Sequence, residues 1–121
     1  MRRSTELRLP RTLDAARRAR RFTTEMCAKW RVPGLAPDAP VIVTELVENT
    51  LRHTGAAPRL CLELHRDGLT VEVTDEDPRQ PVIRESGRPP GLGLLLVAQT
   101  SEQWGCRREP SGGKTVWATV R

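Results

Sequence analysis

Asp67-Gly68 lies between two alternating arms, and this arrangement constrains the fold more than any other feature of the sequence. Arg59 to His65 sets Leu60, Leu62 and Leu64 on one side of an extended chain, and Leu69, Val71 and Val73 continue the pattern after the glycine. A period of two is what a half-buried strand requires, and Asp-Gly between two such arms is the strongest short-range signal for a hairpin. The two arms are therefore expected to be antiparallel neighbours.

The rest of the chain supplies elements to pack against them. Thr5 to Leu9 alternates before Pro10 and reads as a short strand. Thr12 to Trp30 reads as a helix with a broken apolar stripe of Leu13, Ala16, Ala19 or Arg20, Phe22, Met26 and Trp30, a basic opposite face, and a stop at Val32-Pro33-Gly34. After Pro37-Asp38-Ala39-Pro40, the residues Val43, Leu46, Val47, Thr50 and Leu51 recur at spacings of three and four and define a second helix that Gly55 ends. Asp75 to Pro90 holds four prolines and little periodicity, the mark of a loop longer than a simple connector. Gly91 to Gln99 looks like a glycine-led helix. Glu102 to Arg107 and Lys114 to Val120 alternate as two strands joined through Pro110-Ser111-Gly112-Gly113. About five strands and three helices, with most strands hairpin-linked, predict an α+β fold: a two-layer α/β sandwich with helices on one face of a mixed, mainly antiparallel sheet.

Bulk properties narrow the function. A length of 121 residues fits one domain, expected to span residues 1–121, and 37% hydrophobic with 29% charged residues is ordinary globular usage. The apolar run Leu94-Leu95-Leu96-Val97-Ala98 is far too short for a membrane-spanning helix. No apolar stretch with a cleavage site follows Met1-Arg2-Arg3, so a cytoplasmic location is expected. The net charge of +5 comes largely from arginines such as those at 17, 18, 20 and 21, which recur along the first helix as a solvated face. With no zinc finger or RNA-binding aromatic motif, a nucleic-acid partner is not expected. Cys27, Cys61 and Cys106 are far apart in sequence and form no Cys-x-x-Cys pair, so they are expected to be buried, reduced thiols acting as small hydrophobes and not metal ligands.

Candidate chemistry gathers in three places. Glu45, Asn49, Arg52 and His53 share the polar face of the second helix, where a carboxylate, an amide oxygen and a guanidinium could orient a nucleophile, ligate Mg²⁺ and contact phosphate. Such a face is more often merely solvated. Asp75 follows the strand Leu69 to Thr74, and its carboxylate can accept from an exocyclic amine, although an aspartate there is also common in a turn. Gly91-Leu92-Gly93 opens a helix whose amides can face phosphate oxygens.

Taken in order, the segment from Glu45 through Asn49 to His53, a hairpin ending in Asp75, a loop, Gly91-Leu92-Gly93-Leu94 and a final Gly112-Gly113-Lys114-Thr115 strand resemble the GHKL (histidine-kinase-like) ATPases over about residues 5 to 120. Trp104-Gly105 and Gly113-Lys114-Thr115-Val116-Trp117 are similar to motifs of the anti-sigma-factor serine kinases and their actinobacterial relatives. The resemblance implies a Bergerat-type ATP-binding fold, ATP with Mg²⁺ as cofactors, Asn49 as metal ligand and Glu45 at or near the general base. Arg52 would reach phosphate and Asp75 the adenine amine. Thr115 would support Asp75, directly or through water, and Gly91, Gly93 and Leu94 would line the phosphate site beneath a lid at residues 78 to 90. His53 is expected to pack beside the helix end. The implied activity is protein serine/threonine kinase, transferring the γ-phosphoryl group to an anti-sigma-factor antagonist or a sigma factor, with a homodimer formed through the N-terminal strand and helix. A non-catalytic, nucleotide-switched binding module is the alternative. It is favoured by Asp77, where relatives carry glycine or serine, and by Pro89-Pro90, which should stiffen the lid hinge.

Overall fold

The computed structural model describes residues 3–76 and 97–121. In chain order these hold strand β1 (Arg3–Arg8), helix α1 (Ala15–Lys29), a 3-10 turn (Pro33–Leu35), helix α2 (Ala39–His53), and strands β2 (Arg59–His65), β3 (Gly68–Asp75), β4 (Gln103–Arg108) and β5 (Lys114–Val120). Residues 97–100 are helical, and the remainder of the expected third helix lies outside the described residues.

The strands form one sheet in the order β1-β2-β3-β5-β4. Each of its four pairings is antiparallel, so the mixed sheet expected from the sequence is a purely antiparallel one among the described residues. The hairpin β2–β3 is present with His65 opposite Gly68, which makes Arg66-Asp67 the two turn residues and sets Gly68 at the start of the second arm. Neither Arg66 nor Asp67 has a positive φ, whereas Gly68 does, at 147°. The glycine is therefore needed one position later than the Asp-Gly reading places it. A Cβ at Gly68 would stand 2.1 Å from the Val120 carbonyl oxygen, so the adjoining strand demands glycine as well.

Side chains alternate across this sheet. Leu60, Leu62, Leu69, Val71, Val73, Val116, Ala118 and Val120 are buried on the face against which α2 packs. They meet Ile42, Val43, Leu46 and Val47 of α2, all fully buried. Truncating one of these, such as Leu46→Ala, is expected to cost about 2–5 kcal/mol. Helix α1 packs on α2 through small residues, Ala15, Ala16, Ala19, Thr23 and Cys27, with Phe22, Met26 and Trp30 half-buried at the margins. Leu13, expected in that stripe, precedes the helix and is fully exposed.

Both helix ends differ from the simple stop signals. At the end of α1 the Val32 amide donates to the Cys27 carbonyl (3.0 Å) and the Arg31 amide to that of Ala28 (3.1 Å), with Arg31 at φ 58°. This is the left-handed C-terminal motif in which glycine is the usual occupant. Helix α2 ends at Thr54, whose amide and hydroxyl both donate to the Thr50 carbonyl, and Gly55 lies just beyond.

The opposite sheet face is polar. Arg107 bridges Glu72 (2.7 Å) and Glu109 (3.3 Å) across it. Gly105 pairs with Trp117, whose indole lies over the glycine so closely that a Cβ would meet it at 3.0 Å. Cys61 sits half-buried on this face, its thiol pushed up by burial and by the charges of Glu72, Glu6 and Glu63. Of the three cysteines expected to be buried only Cys27 is, and Cys106 is exposed on edge strand β4.

Candidate nucleotide site

Helix α2 and the ends of β3 and β5 position the residues of interest. Glu45 and Asn49 are one turn apart on α2 and project to the same side. The sequence reading put both on a solvated face, and Asn49 departs from it: its side chain is only 4% exposed. The Asn49 Nδ2 has no hydrogen-bond partner among the described residues. A buried orphan donor costs about 1–3 kcal/mol, and such groups concentrate where a ligand completes the bonding.

Glu45 is half-buried. Partial burial pushes its carboxyl above the ordinary range, the neighbouring Glu48 adds to the rise, and Arg52 opposes it. Arg52 is exposed and lines an open groove of about 710 Å³ with Arg11, Thr12, Leu13, Ala16, Glu48 and Leu51. Arg11 fixes one wall of that groove by donating to the carbonyls of Leu51 and Ala56, each at 3.2 Å. The groove lies between the start of α1 and the end of α2, away from the sheet. His53 is exposed in the last turn of α2, where a basic side chain suits the helix dipole.

Asp75 ends β3 in phase with Val71 and Val73, so it faces the helix layer, 1% exposed. Its cross-strand partner is Lys114, whose Nζ lies 3.3 Å from Asp75 Oδ1 and whose side chain is also 1% exposed. Thr115, expected to support Asp75, emerges on the opposite face. Its hydroxyl donates to Glu109 Oε1 at 2.5 Å and so accepts from the Thr74 hydroxyl at 2.6 Å. The discrepancy is one of strand parity: Lys114 is in phase with Val116 and Ala118, Thr115 with Trp117 and Thr119. That alternation was present in the sequence and is the signal by which Lys114 could have been found. The glycines between β4 and β5 have separate reasons. Gly112 has φ 98° in the turn that returns its amide to the Glu109 carbonyl, and Gly113 allows close approach to the end of β3.

Gly91, Gly93 and Leu94, together with Asp77, Pro89-Pro90 and the expected lid, lie outside the described residues. Among the described residues no cluster of three His, Cys, Asp or Glu side chains could hold a metal. An Mg²⁺ here would fit the mode in which one protein oxygen, that of Asn49, joins substrate phosphates and water.

The family model of the histidine kinase-like ATPase domain matches residues 9–120. The chain belongs to this family. Family membership implies nucleotide binding as the domain's business. Among solved structures, the chain is similar to the RsbU and RsbW domains of Rv1364c from Mycobacterium tuberculosis, with a TM-score of 0.73 and 21% identity. The alignment covers 98% of this chain and 32% of that one, so the chain spans about a third of the solved protein's length. That likeness establishes the α+β, two-layer fold. No curated protein sequence matches the chain significantly. None of the described helices is long and apolar enough to cross a membrane.

Proposed function

We propose that this histidine-kinase-like domain binds Mg-ATP and passes the γ-phosphoryl group to a serine or threonine of a partner protein, as the resemblance to anti-sigma-factor kinases implies. The observation that carries the reading is the burial of Asn49 on the helix that packs over the strand ending in buried Asp75, with an Asn49 Nδ2 that has no partner among the described residues and can donate to a phosphate oxygen while Oδ1 faces the metal. Asn49 would hold the metal, which supplies charge neutralisation at the phosphates. Asp75 would accept from the adenine amine, and exposed Arg52 would meet phosphate oxygens. Glu45 takes the proton of the attacking hydroxyl as the new oxygen–phosphorus bond forms and the bond to the β-phosphate oxygen breaks. Its partial burial and the nearby Glu48 raise its basicity, which favours proton acceptance near neutral pH. Most of the remaining work is positioning, because phosphoryl transfer asks little covalent chemistry of the protein.

The partner that suits this activity is a small anti-sigma-factor antagonist, with a sigma factor as the other client, in the cytoplasm. A second copy of the chain would add along β1, an edge strand of the sheet. The second reading, a nucleotide-switched binding module without transfer, draws support from the enclosed Asp75–Lys114 pair, which a base reaches only through local opening. Calorimetry with ATP, with and without Mg²⁺, followed by single-turnover transfer of labelled phosphate to an antagonist protein, tests both readings. Metal-dependent binding with transfer supports the kinase. Binding of ATP and partner without transfer leaves the binding module, and no nucleotide binding removes both.

A further inference from the structure

Lys114 is the largest fully buried side chain among the described residues, at 1% exposure. Lysine is rarely enclosed to this degree, because removing an ammonium from water is costly even beside a carboxylate. A pair of well-packed apolar residues would close this part of the layer at lower cost. The pair sits at the place where β3 ends and β5 begins, and the antiparallel register brings both side chains out side by side toward α2. An acceptor, Asp75 Oδ1, and a donor, Lys114 Nζ, are thus fixed 3.3 Å apart on one face. An ammonium carries three protons, so donation to Asp75 and to a second acceptor are compatible.

Adenine presents the complementary pair on one edge: the 6-amino group donates and ring nitrogen N1 beside it accepts. Resting on the reading that adenine is recognised at Asp75, we propose that Lys114 is a second base-reading residue, donating to N1 while Asp75 accepts from the amine. Thr115 cannot share this task, since it faces the other side of the sheet. The close approach of Gly113 to the Asp75 backbone holds the two strand ends in the register that creates the pair.

The test compares Mg-ATP with the triphosphate of 1-deazaadenosine, which keeps the amine and phosphates but has CH in place of N1. Binding of each is measured by calorimetry to the wild-type chain and to Lys114→Met. A hydrogen bond from a charged donor predicts that wild type prefers ATP by about tenfold or more. In Lys114→Met the preference should fall to near unity, a change in ratio that a merely structural lysine would not produce. Equal wild-type affinities for the two nucleotides overturn the role of Lys114 while leaving nucleotide binding intact. A preference that survives in Lys114→Met also overturns it. Failure of wild type to bind ATP at all overturns the underlying reading of the site. Should Lys114→Met not fold, Lys114→Gln takes its place under the same two outcomes, and equal wild-type affinities still overturn the role.

Discussion

Gly113 lies so close to Asp75 that a Cβ on the glycine would stand 2.1 Å from the Asp75 carbonyl oxygen and 2.8 Å from Glu76 Cα. Both neighbours are backbone, so neither can swing aside as a flexible side chain would. Gly113→Ala should therefore displace the end of β3 and, with it, the carboxylate opposite Lys114. The expected result is a loss of at least about tenfold in ATP affinity, or about 1.4 kcal/mol. Gly34→Ala, where a Cβ meets nothing within 4 Å, is the control and should bind as wild type does. Calorimetric titration of both variants checks this.

At the end of α1, Arg31 occupies the left-handed position of the cap at φ 58°. An L side chain there costs about 1–2 kcal/mol, and glycine relieves it while adding freedom to the unfolded chain. Arg31→Gly should stabilise the protein by about 0.5–1 kcal/mol and raise Tm by a few degrees in thermal denaturation. No change or a fall in Tm would mean that the Arg31 side chain makes a compensating contact.

Period-two alternation made β2, β3 and β5 legible, because one face of each is pressed against apolar side chains and each alternate residue must comply, whereas β4 touches the core through half-buried Trp104 alone. Helix α2 was legible for the same reason at a period of 3.6. What escaped depended on packing between elements. Asn49 reads as a surface residue from its type, and only packing between elements buries it. Leu13 reads as core from its place in a stripe, but the helix begins two residues later and leaves it in solvent. The turn at Arg66-Asp67 followed the demand of Val120 on Gly68, which is a contact between β3 and β5 and invisible in the hairpin alone. The candidate site was legible in its order along the chain, through the family resemblance, and not in its pairing: Asp75 faces Lys114 and not Thr115.

The raised carboxyl of Glu45 has a stability consequence whose sign follows from linkage. Its proton is held more tightly in the folded chain than in the unfolded one, so its contribution to stability is fully present below the ordinary glutamate pKa and is lost as pH rises through the raised value. At neutral pH the ionised, partly desolvated Glu45 beside Glu48 is a small liability. Glu45→Gln should therefore unfold at higher denaturant than wild type at pH 7, and the advantage should vanish at acid pH, below the ordinary glutamate range. A gain that persists there would assign the effect to packing instead of charge.

The same residue separates chemistry from binding. If Glu45 accepts the proton of the attacking hydroxyl, Glu45→Ala should keep Mg-ATP affinity within a few-fold while slowing partner phosphorylation by about 10² or more. Asn49→Ala should lose affinity by more than tenfold and lose transfer with it, because the amide would be a ligand of the metal. Its burial means that the variant also leaves a small cavity, so circular dichroism and ATP-independent partner binding must show an intact fold before the loss is read as metal chemistry. The wild-type pH profile of single-turnover transfer adds an independent mark: the acid limb should lie above the ordinary carboxylate range, and Glu48→Gln, by removing a like charge, should move it down. A limb that stays in place in Glu48→Gln but disappears in Glu45→Ala would keep Glu45 as the base and discard Glu48 as its tuner. Wild type that transfers no phosphate to any antagonist protein, while binding ATP, would leave Glu45 without a catalytic role and the domain as a nucleotide-switched binder.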